Sequence, residues 1–357
     1  MKICIIGGGF YGCKLALDLQ KQSPNFTIDL YEMKNELLSG AINNCQNRLH
    51  MGFHYGRCPK TVKQSRRCFE DFLKEYGSKT KEIKNNIYLI HKNSKINFNE
   101  YTLFMKSNNL QFETHSVKNV KNLNNSNQFE GALKVSERVF DAGLIIKEIA
   151  EKIQTTKINI FTNSKISEEK IKHFKNKYDF VINATYTQPH LGFEKQKFKN
   201  LKYEVCLIPV FYLKEYDNSS ALTVMDGDFC SLYPTTTNGC FSLSSVVHTP
   251  FFKSDSLQNC FDKKKFLTEH PGKLEEKTLK IVEDSSKYFN INYKDIELIK
   301  NNLTIKCKIK NDINDTRECF YIKEDNYFSI MAGKVSAIYD IKEKILNDIK
   351  KMFKEQK

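Results

Sequence analysis

The strongest constraint on this chain lies between Lys2 and Glu32. An apolar run from Lys2 to Ile6 stops at Gly7-Gly8-Gly9, which predicts a buried parallel strand ended by a turn. A helix is expected from about Phe10 to Lys21, with Leu15, Ala16 and Leu19 on one face, and Ser23-Pro24-Asn25 breaks it before a second strand, Thr27 to Glu32. Gly7, Gly9 and Gly12 then fall on the GxGxxG spacing between a strand and a helix. The first glycine permits the tight turn, the second lets a pyrophosphate approach bare backbone, and the third lets helix and strand pack closely. A pyrophosphate would sit on the free amides of the helix start at Phe10 and Tyr11. Glu32, at the end of the second strand, would accept hydrogen bonds from ribose hydroxyls. A glycine turn with no ligand leaves unexplained three consecutive glycines, each costing about 0.5 to 1 kcal/mol relative to alanine. The unit therefore predicts a dinucleotide site.

A length of 357 residues favours a two-domain enzyme over a small binding module. With 40% hydrophobic, 12% aromatic and 27% charged residues, the chain reads as globular. It has neither the run of about 18 apolar residues that a membrane helix needs nor a basic-then-apolar leader, so a cytoplasmic protein with no membrane partner is expected. The eleven cysteines are scattered singly, with no CxxC pair. That spacing argues against a disulfide framework and against a structural metal, and the expected metal content is none. The net charge of +14 is spread along the chain beside many Asn and Ile residues. Such a bias is more simply codon usage than a basic face for nucleic acid.

Further along, Lys60 to Tyr76 reads as a helix with Val62, Phe69, Phe72, Leu73 and Tyr76 on one stripe. Asn86 to His91 reads as a strand, Val139 to Lys152 as a helix with Asp141 in its first turn, Ile158 to Phe161 as a strand and Phe180 to Ala184 as a buried strand. Between Tyr203 and His248 strand-like runs broken by Asp226-Gly227, Pro234 and Asn238-Gly239 suggest an antiparallel sheet. Asp262 to about Ile299 reads as mainly helical, Tyr327 to Met331 as a strand, and Val335 to Phe353 as a last helix. This order implies an α/β fold: a Rossmann-type nucleotide domain with an inserted, mainly antiparallel α+β substrate domain. Its expected bounds are 1–85, 135–200 and 310–357 for the nucleotide domain, and 86–134 and 201–309 for the substrate domain.

Four blocks carry a resemblance: Gly7 to Gly12 with Glu32, the segment Ser39 to Arg57, the strand end Val181-Ile182-Asn183-Ala184-Thr185, and Met331-Ala332-Gly333-Lys334. In this order they resemble the D-amino-acid oxidase-like family of FAD-dependent oxidoreductases, which includes glycine and sarcosine oxidases. The resemblance implies FAD as cofactor, with Gly40 and Ala41 in the segment that wraps the flavin ring. It also implies Asn183, Ala184 and Thr185 near the adenine half and Gly333 facing the flavin pyrimidine. The family's C-terminal turn is richer in glycine than this one. No second GxGxxG is present, which argues against an additional NAD(P)H domain.

If the resemblance holds, Arg48-Leu49-His50-Met51-Gly52-Phe53-His54-Tyr55-Gly56-Arg57 lies beside the isoalloxazine. His50 or His54 could take a proton from a substrate amine or hydroxyl as hydride leaves, or both could only hold the flavin edge. Arg48 could pair with a substrate carboxylate or phosphate, and Tyr55 could line the same pocket. Tyr233 and His248, on the inserted sheet, are candidate substrate contacts, against a plain hairpin with core aromatics. Lys334 could stabilise the negative charge of reduced flavin, or be a solvated lysine. The implied reaction removes hydride from a C–H beside an amine or hydroxyl of a small molecule, with dioxygen or another acceptor reoxidising the flavin. No arginine lies between Tyr203 and Pro250, which weakens an amino-acid substrate and leaves room for a larger sugar, carrier-linked or nucleic-acid-linked one. A flavin-binding scaffold or sensor without turnover is the reading of another class.

Overall fold

In the computed structural model, which describes residues 1–193, 200–310 and 317–355, Lys2–Ile6 is an inner strand of a six-stranded sheet. The order across that sheet is Phe320–Glu324, Tyr327–Met331, Phe180–Asn183, Lys2–Ile6, Thr27–Tyr31 and Asn159–Phe161. All neighbours are parallel except the edge strand Phe320–Glu324. Ile6 is in register with both Asn183 and Tyr31, so the turns that follow these strands open at one edge of the sheet. In open parallel sheets ligands bind beyond the carboxyl ends of the strands.

The helix Phe10–Gln22 leaves that edge and packs with Ala142–Gln154 and Ile338–Glu355. Its Leu15 and Leu19 join Ile3, Ile5, Ile145 and Ile341 in one buried cluster. At its start the helix approaches the end of the first strand through glycine: a β-carbon on Gly12 would lie 1.8 Å from the Gly7 carbonyl oxygen. Gly7 itself has φ +104°, in the region that side chains rarely adopt, and a β-carbon there would meet the Ala184 carbonyl oxygen at 2.8 Å.

A nine-stranded sheet draws on two stretches of chain. Asn85–His91, Phe112–His115 and Phe129–Val135 come from the first, and five strands between Leu201 and Ser254 with Glu297–Ile309 come from the second. Its pairings are antiparallel apart from Ser220–Met225 beside Asn85–His91, and the helices Leu257–Glu269 and Gly272–Ser286 pack against it. Asp226, with φ +56°, turns the hairpin between Ser220–Met225 and Cys230–Pro234. A third, three-stranded sheet joins Arg48–Leu49, Arg138–Phe140 and Thr80–Glu82. The domain bounds inferred near 200 and 310 fall against 194–199 and 311–316, which lie outside the described residues.

Two segments differ from the sequence reading. Residues 138–140 are a strand, and the helix begins at Ala142 with Asp141 as its cap, accepting the Leu144 N–H at 2.9 Å. An apolar periodicity running across Val139 and Phe140 conceals the change, because both side chains are core residues in either conformation. The region read as helical to about Ile299 ends its helices at Ser286, and Glu297–Ile309 is a long strand paired along Leu201–Tyr212. Its lysine-rich composition is a poor strand signal, and the pairing supplies what propensity does not. All eleven cysteines are free, and no helix of the described residues is long and apolar enough to cross a membrane.

Gly12→Ala is expected to destabilise the protein by about 3 kcal/mol or more, because backbone rather than a flexible side chain opposes the added methyl. Chemical denaturation followed by circular dichroism checks this; a midpoint equal to that of the unsubstituted protein would contradict the close approach.

Candidate active site

The glycine turn leaves its backbone open. Gly9 caps the helix Phe10–Gln22 with no side-chain cap and no acidic residue in the first turn, so the unpaired amides of a helix start are available to an anion. A β-carbon on Gly9, or on Gly40, which lines the same cavity, would meet nothing within 4 Å. That is a cradle of bare backbone of the kind a pyrophosphate requires. The Glu32 carboxylate braces the turn: Oε2 accepts the Gly8 N–H at 2.8 Å and Oε1 accepts the Lys34 N–H at 2.9 Å. Each oxygen keeps a further acceptor site for a ribose hydroxyl.

From this turn a cavity of about 1130 Å³ runs to the histidine segment, larger than the roughly 300 to 1,000 Å³ of an ordinary small-ligand pocket. Gly7, Gly9, Phe10, Tyr11, Glu32, Gly40, Ala41, Ala184, Thr185, Gly333 and Lys334 line it, as do Arg48, His50, His54 and Tyr55. Four candidates do not. Gly12 lies under the turn as a packing residue. Asn183 is buried and shapes the turn after its strand, donating to Gln188 O at 2.8 Å and Ser329 Oγ at 3.1 Å while its Oδ1 accepts from Thr185. Tyr233 is buried with its ring 4.0 Å from the Arg48 guanidinium. His248 sits in a turn outside the cavity, beside a shallow depression with Lys277 and Lys280.

Arg48 points into the nine-stranded sheet. It donates to Tyr88 OH at 2.8 Å, Thr223 Oγ1 at 3.1 Å and Ser231 Oγ at 3.3 Å, and a fully buried carboxylate, Glu137, lies 3.9 Å away. Glu137 also accepts the Met51 N–H at 2.8 Å and the Tyr88 hydroxyl at 2.7 Å. Burial pushes the Glu137 carboxyl up, but His50, Arg48 and these hydrogen bonds outweigh burial and leave it below the ordinary value. Arg48 thus holds the segment, and the hydroxyls of the sheet already occupy most of its donors.

The rings of His50 and His54 face each other with centroids 5.2 Å apart, and Tyr55 stands edge-on to both. Burial lowers the pKa of His50, and Glu137 only partly offsets it. His54 opens onto the cavity, yet the surrounding walls still withhold water. With His50, Arg48, Arg317 and Lys306 adding like charge, its pKa falls well below the ordinary value. Both imidazoles are therefore neutral near pH 7. Lys334 is held by Ser65 Oγ at 2.8 Å and lies 4.5 Å from the centre of the Tyr55 ring. Burial brings its pKa down to about 8. The Tyr11 hydroxyl donates to the Lys334 carbonyl, tying the C-terminal turn to the glycine-rich helix.

Glu137, Tyr186, Lys306 and Arg317 are site residues that sequence reasoning did not single out. Glu137 shows no motif, and only strand register brings it to His50. Lys306 was findable: with Lys308 it interrupts the buried positions Leu303, Ile305 and Cys307 of one strand, and both lysines reach the cavity.

Residues 2–259 match the family model described as FAD dependent oxidoreductase. The chain belongs to the FAD-dependent oxidoreductase family. It is 30% identical over 349 residues to the FAD-dependent monooxygenase FPY4 of Fusarium mangiferae, covering 96% of this chain and 89% of that one. A shorter match, 37% identical over 76 residues, joins it to the FAD-dependent monooxygenase kojA of Aspergillus flavus, covering 21% of this chain and 17% of that one. Among solved structures, glycine oxidase from Bacillus cereus superposes with a TM-score of 0.68 at 12% identity, covering 98% of this chain and 95% of that one. L-α-glycerophosphate oxidase from Mycoplasma pneumoniae, with FAD bound, gives 0.67 at 14% identity, with 98% and 94% covered. These confirm the Rossmann-type fold of the family, and FAD as the cofactor of an FAD-dependent oxidoreductase. The open backbone at Gly9 and Gly40 and the brace at Glu32 fit that dinucleotide.

Gly9→Ala, unlike Gly12→Ala, is expected to fold with an unchanged denaturation midpoint as apoprotein, since its φ of −75° suits alanine and the methyl meets no protein atom. It should bind FAD at least tenfold more weakly by fluorescence titration, and undiminished affinity would contradict the cradle.

Proposed function

We propose that this FAD-dependent oxidoreductase oxidises a small anionic molecule at a carbon bearing a hydroxyl or an amine. The observation that carries the reading is the pair of facing imidazoles, His50 and His54, both with lowered pKa values, in a cavity that also presents Lys306, Arg317 and Lys334. FAD, when bound, accepts the hydride, and dioxygen or another acceptor restores it. One of the two histidines takes the hydroxyl or amine proton. Lys306 and Arg317 attract the carboxylate or phosphate, a role that the missing arginine of the 203–250 stretch leaves to them. Lys334 stabilises the negative charge that accumulates as hydride arrives. In this scheme residues 1–85, 135–200 and 310–357 hold the cofactor, while 86–134 and 201–309 shape the substrate pocket.

The name of the Fusarium relative, a monooxygenase, favours a second reading in which oxygen enters the product. Anaerobic mixing of the flavin-loaded protein with 2-hydroxy acids, 2-amino acids and sugar phosphates separates the two. Bleaching of the flavin absorbance by one of these alone is the expected result. Bleaching only by NADH or NADPH, with oxygen-18 from labelled dioxygen in the product, would establish the second reading instead.

The bleaching rate should also fall as pH rises through about 8, because Lys334 is a cation below that value and neutral above it. Lys334→Arg retains charge and should lose this alkaline limb. Lys334→Met should be slow at every pH, by about 10²-fold. A limb at about pH 8 that survives in Lys334→Arg would exclude Lys334 as its source.

A further inference from the structure

The strand Arg48–Leu49 pairs antiparallel with Arg138–Phe140, Leu49 standing opposite Arg138. One residue further along the same register, His50 stands opposite Glu137. The Glu137 side chain is wholly buried, and His50 Nδ1 lies 3.6 Å from its Oε2. Among the described residues His50 Nδ1 is a buried nitrogen with no hydrogen-bond partner, and this carboxylate is an acceptor that stands beside it. Around the ring stand Glu137 on the strand side, Arg48 and Lys334 as cations, and the His54 and Tyr55 rings towards the cavity.

We infer that Glu137 is the positioning residue for His50, holding the imidazole with Nδ1–H turned to the buried carboxylate and the Nε2 lone pair turned to the substrate. The inference deepens the oxidation proposed above and rests on that reading for its proton. The substrate's hydroxyl or amine proton passes to Nε2, the C–H electron pair leaves with the hydride to FAD, and a C=O or C=N bond remains. His50 is then an imidazolium beside a carboxylate that has kept its charge, so the positive charge forms where a negative one already waits. Replacing the carboxylate would remove this compensation and leave His50 among Arg48 and Lys334. Among the described residues, His50 and not His54 has such a carboxylate behind it. Burial, helped by the like charge of Arg48, which shares Glu137, lowers the pKa of His50 and leaves it unprotonated before turnover. A purely architectural Glu137, anchoring the Met51 N–H and the Tyr88 hydroxyl, would fix no tautomer and tune no titration.

The test uses flavin-loaded protein labelled with nitrogen-15 in histidine rings, with the His50 signals identified by their absence in His50→Asn. At neutral pH the unsubstituted protein should show His50 protonated at Nδ1 and bare at Nε2. In Glu137→Gln its titration midpoint should fall by at least one pH unit, a tenfold weaker hold on the second proton, while Glu137→Asp stays near the original midpoint. A His50 protonated at Nε2 in the unsubstituted protein overturns the inference, whether or not any variant folds. So does a midpoint unmoved in Glu137→Gln, or a His54 midpoint that moves as far as that of His50. These readouts need no substrate. If no compound bleaches the flavin, the proposed reaction fails while the tautomer result stands. If the tautomer is wrong, the reaction can still run through His54.

Discussion

One buried guanidinium joins the part of the chain that carries the histidines to the sheet that faces them. Arg48 leaves a two-residue strand and lands on hydroxyls from three strands of the nine-stranded sheet, Tyr88, Thr223 and Ser231, with the Tyr233 ring against its face. Everything beyond it in the segment inherits that placement: His50, the Met51 amide held by Glu137, and the turn through Gly52 into the helix Pro59–Tyr76. Burying a cation is costly, and an apolar replacement of similar volume is often as stable. Stability alone therefore does not account for Arg48 and Glu137. What an apolar cluster would lack is direction: bonds of fixed geometry determine where the imidazole stands, whereas packing would allow it several positions.

The cofactor end was legible in the sequence because it is local. Gly7, Gly9, Gly12 and Glu32 act through a turn, a helix start and a strand end within one βαβ unit, and every constraint on them can be read along the chain. The histidine end of the cavity is assembled differently. Glu137 reaches His50 through the register of two short strands separated by almost ninety residues of chain, and Lys306 arrives on a strand whose composition hides it. Tyr233 and His248 show the converse. As an aromatic on a strand and a histidine near a turn they were open to two readings, substrate contacts or a plain hairpin with core aromatics; the first packs on Arg48 and the second lies beside a separate depression. Alternation within a strand reports which positions share a face, not what lies across from that face.

The charge of the chain has the same dual character. Its excess of lysine is spread in sequence, and most of it is solvated. Along the cavity wall, however, lysine and arginine outnumber aspartate and glutamate. FAD held with its pyrophosphate at the glycine turn would offset part of this. The cations at the far end, Lys306, Arg317 and Lys334, lie at the histidines instead, where a low-dielectric wall strengthens their field.

Burial, with that field added to it, explains how the two imidazoles can stand in a polar pocket and remain bases. Water would let them titrate near 6.5; the walls and the neighbouring cations hold them below that, so the lone pair needed to accept a proton is present across the neutral range. In the proposed reaction the same cations would draw in an anion, and an anion near the ring raises the ring's affinity for a proton. Arrival of substrate would thus strengthen the base at the moment it is required, while the carboxylate of Glu137, fixed behind His50, would provide the part of that compensation that does not leave with the product.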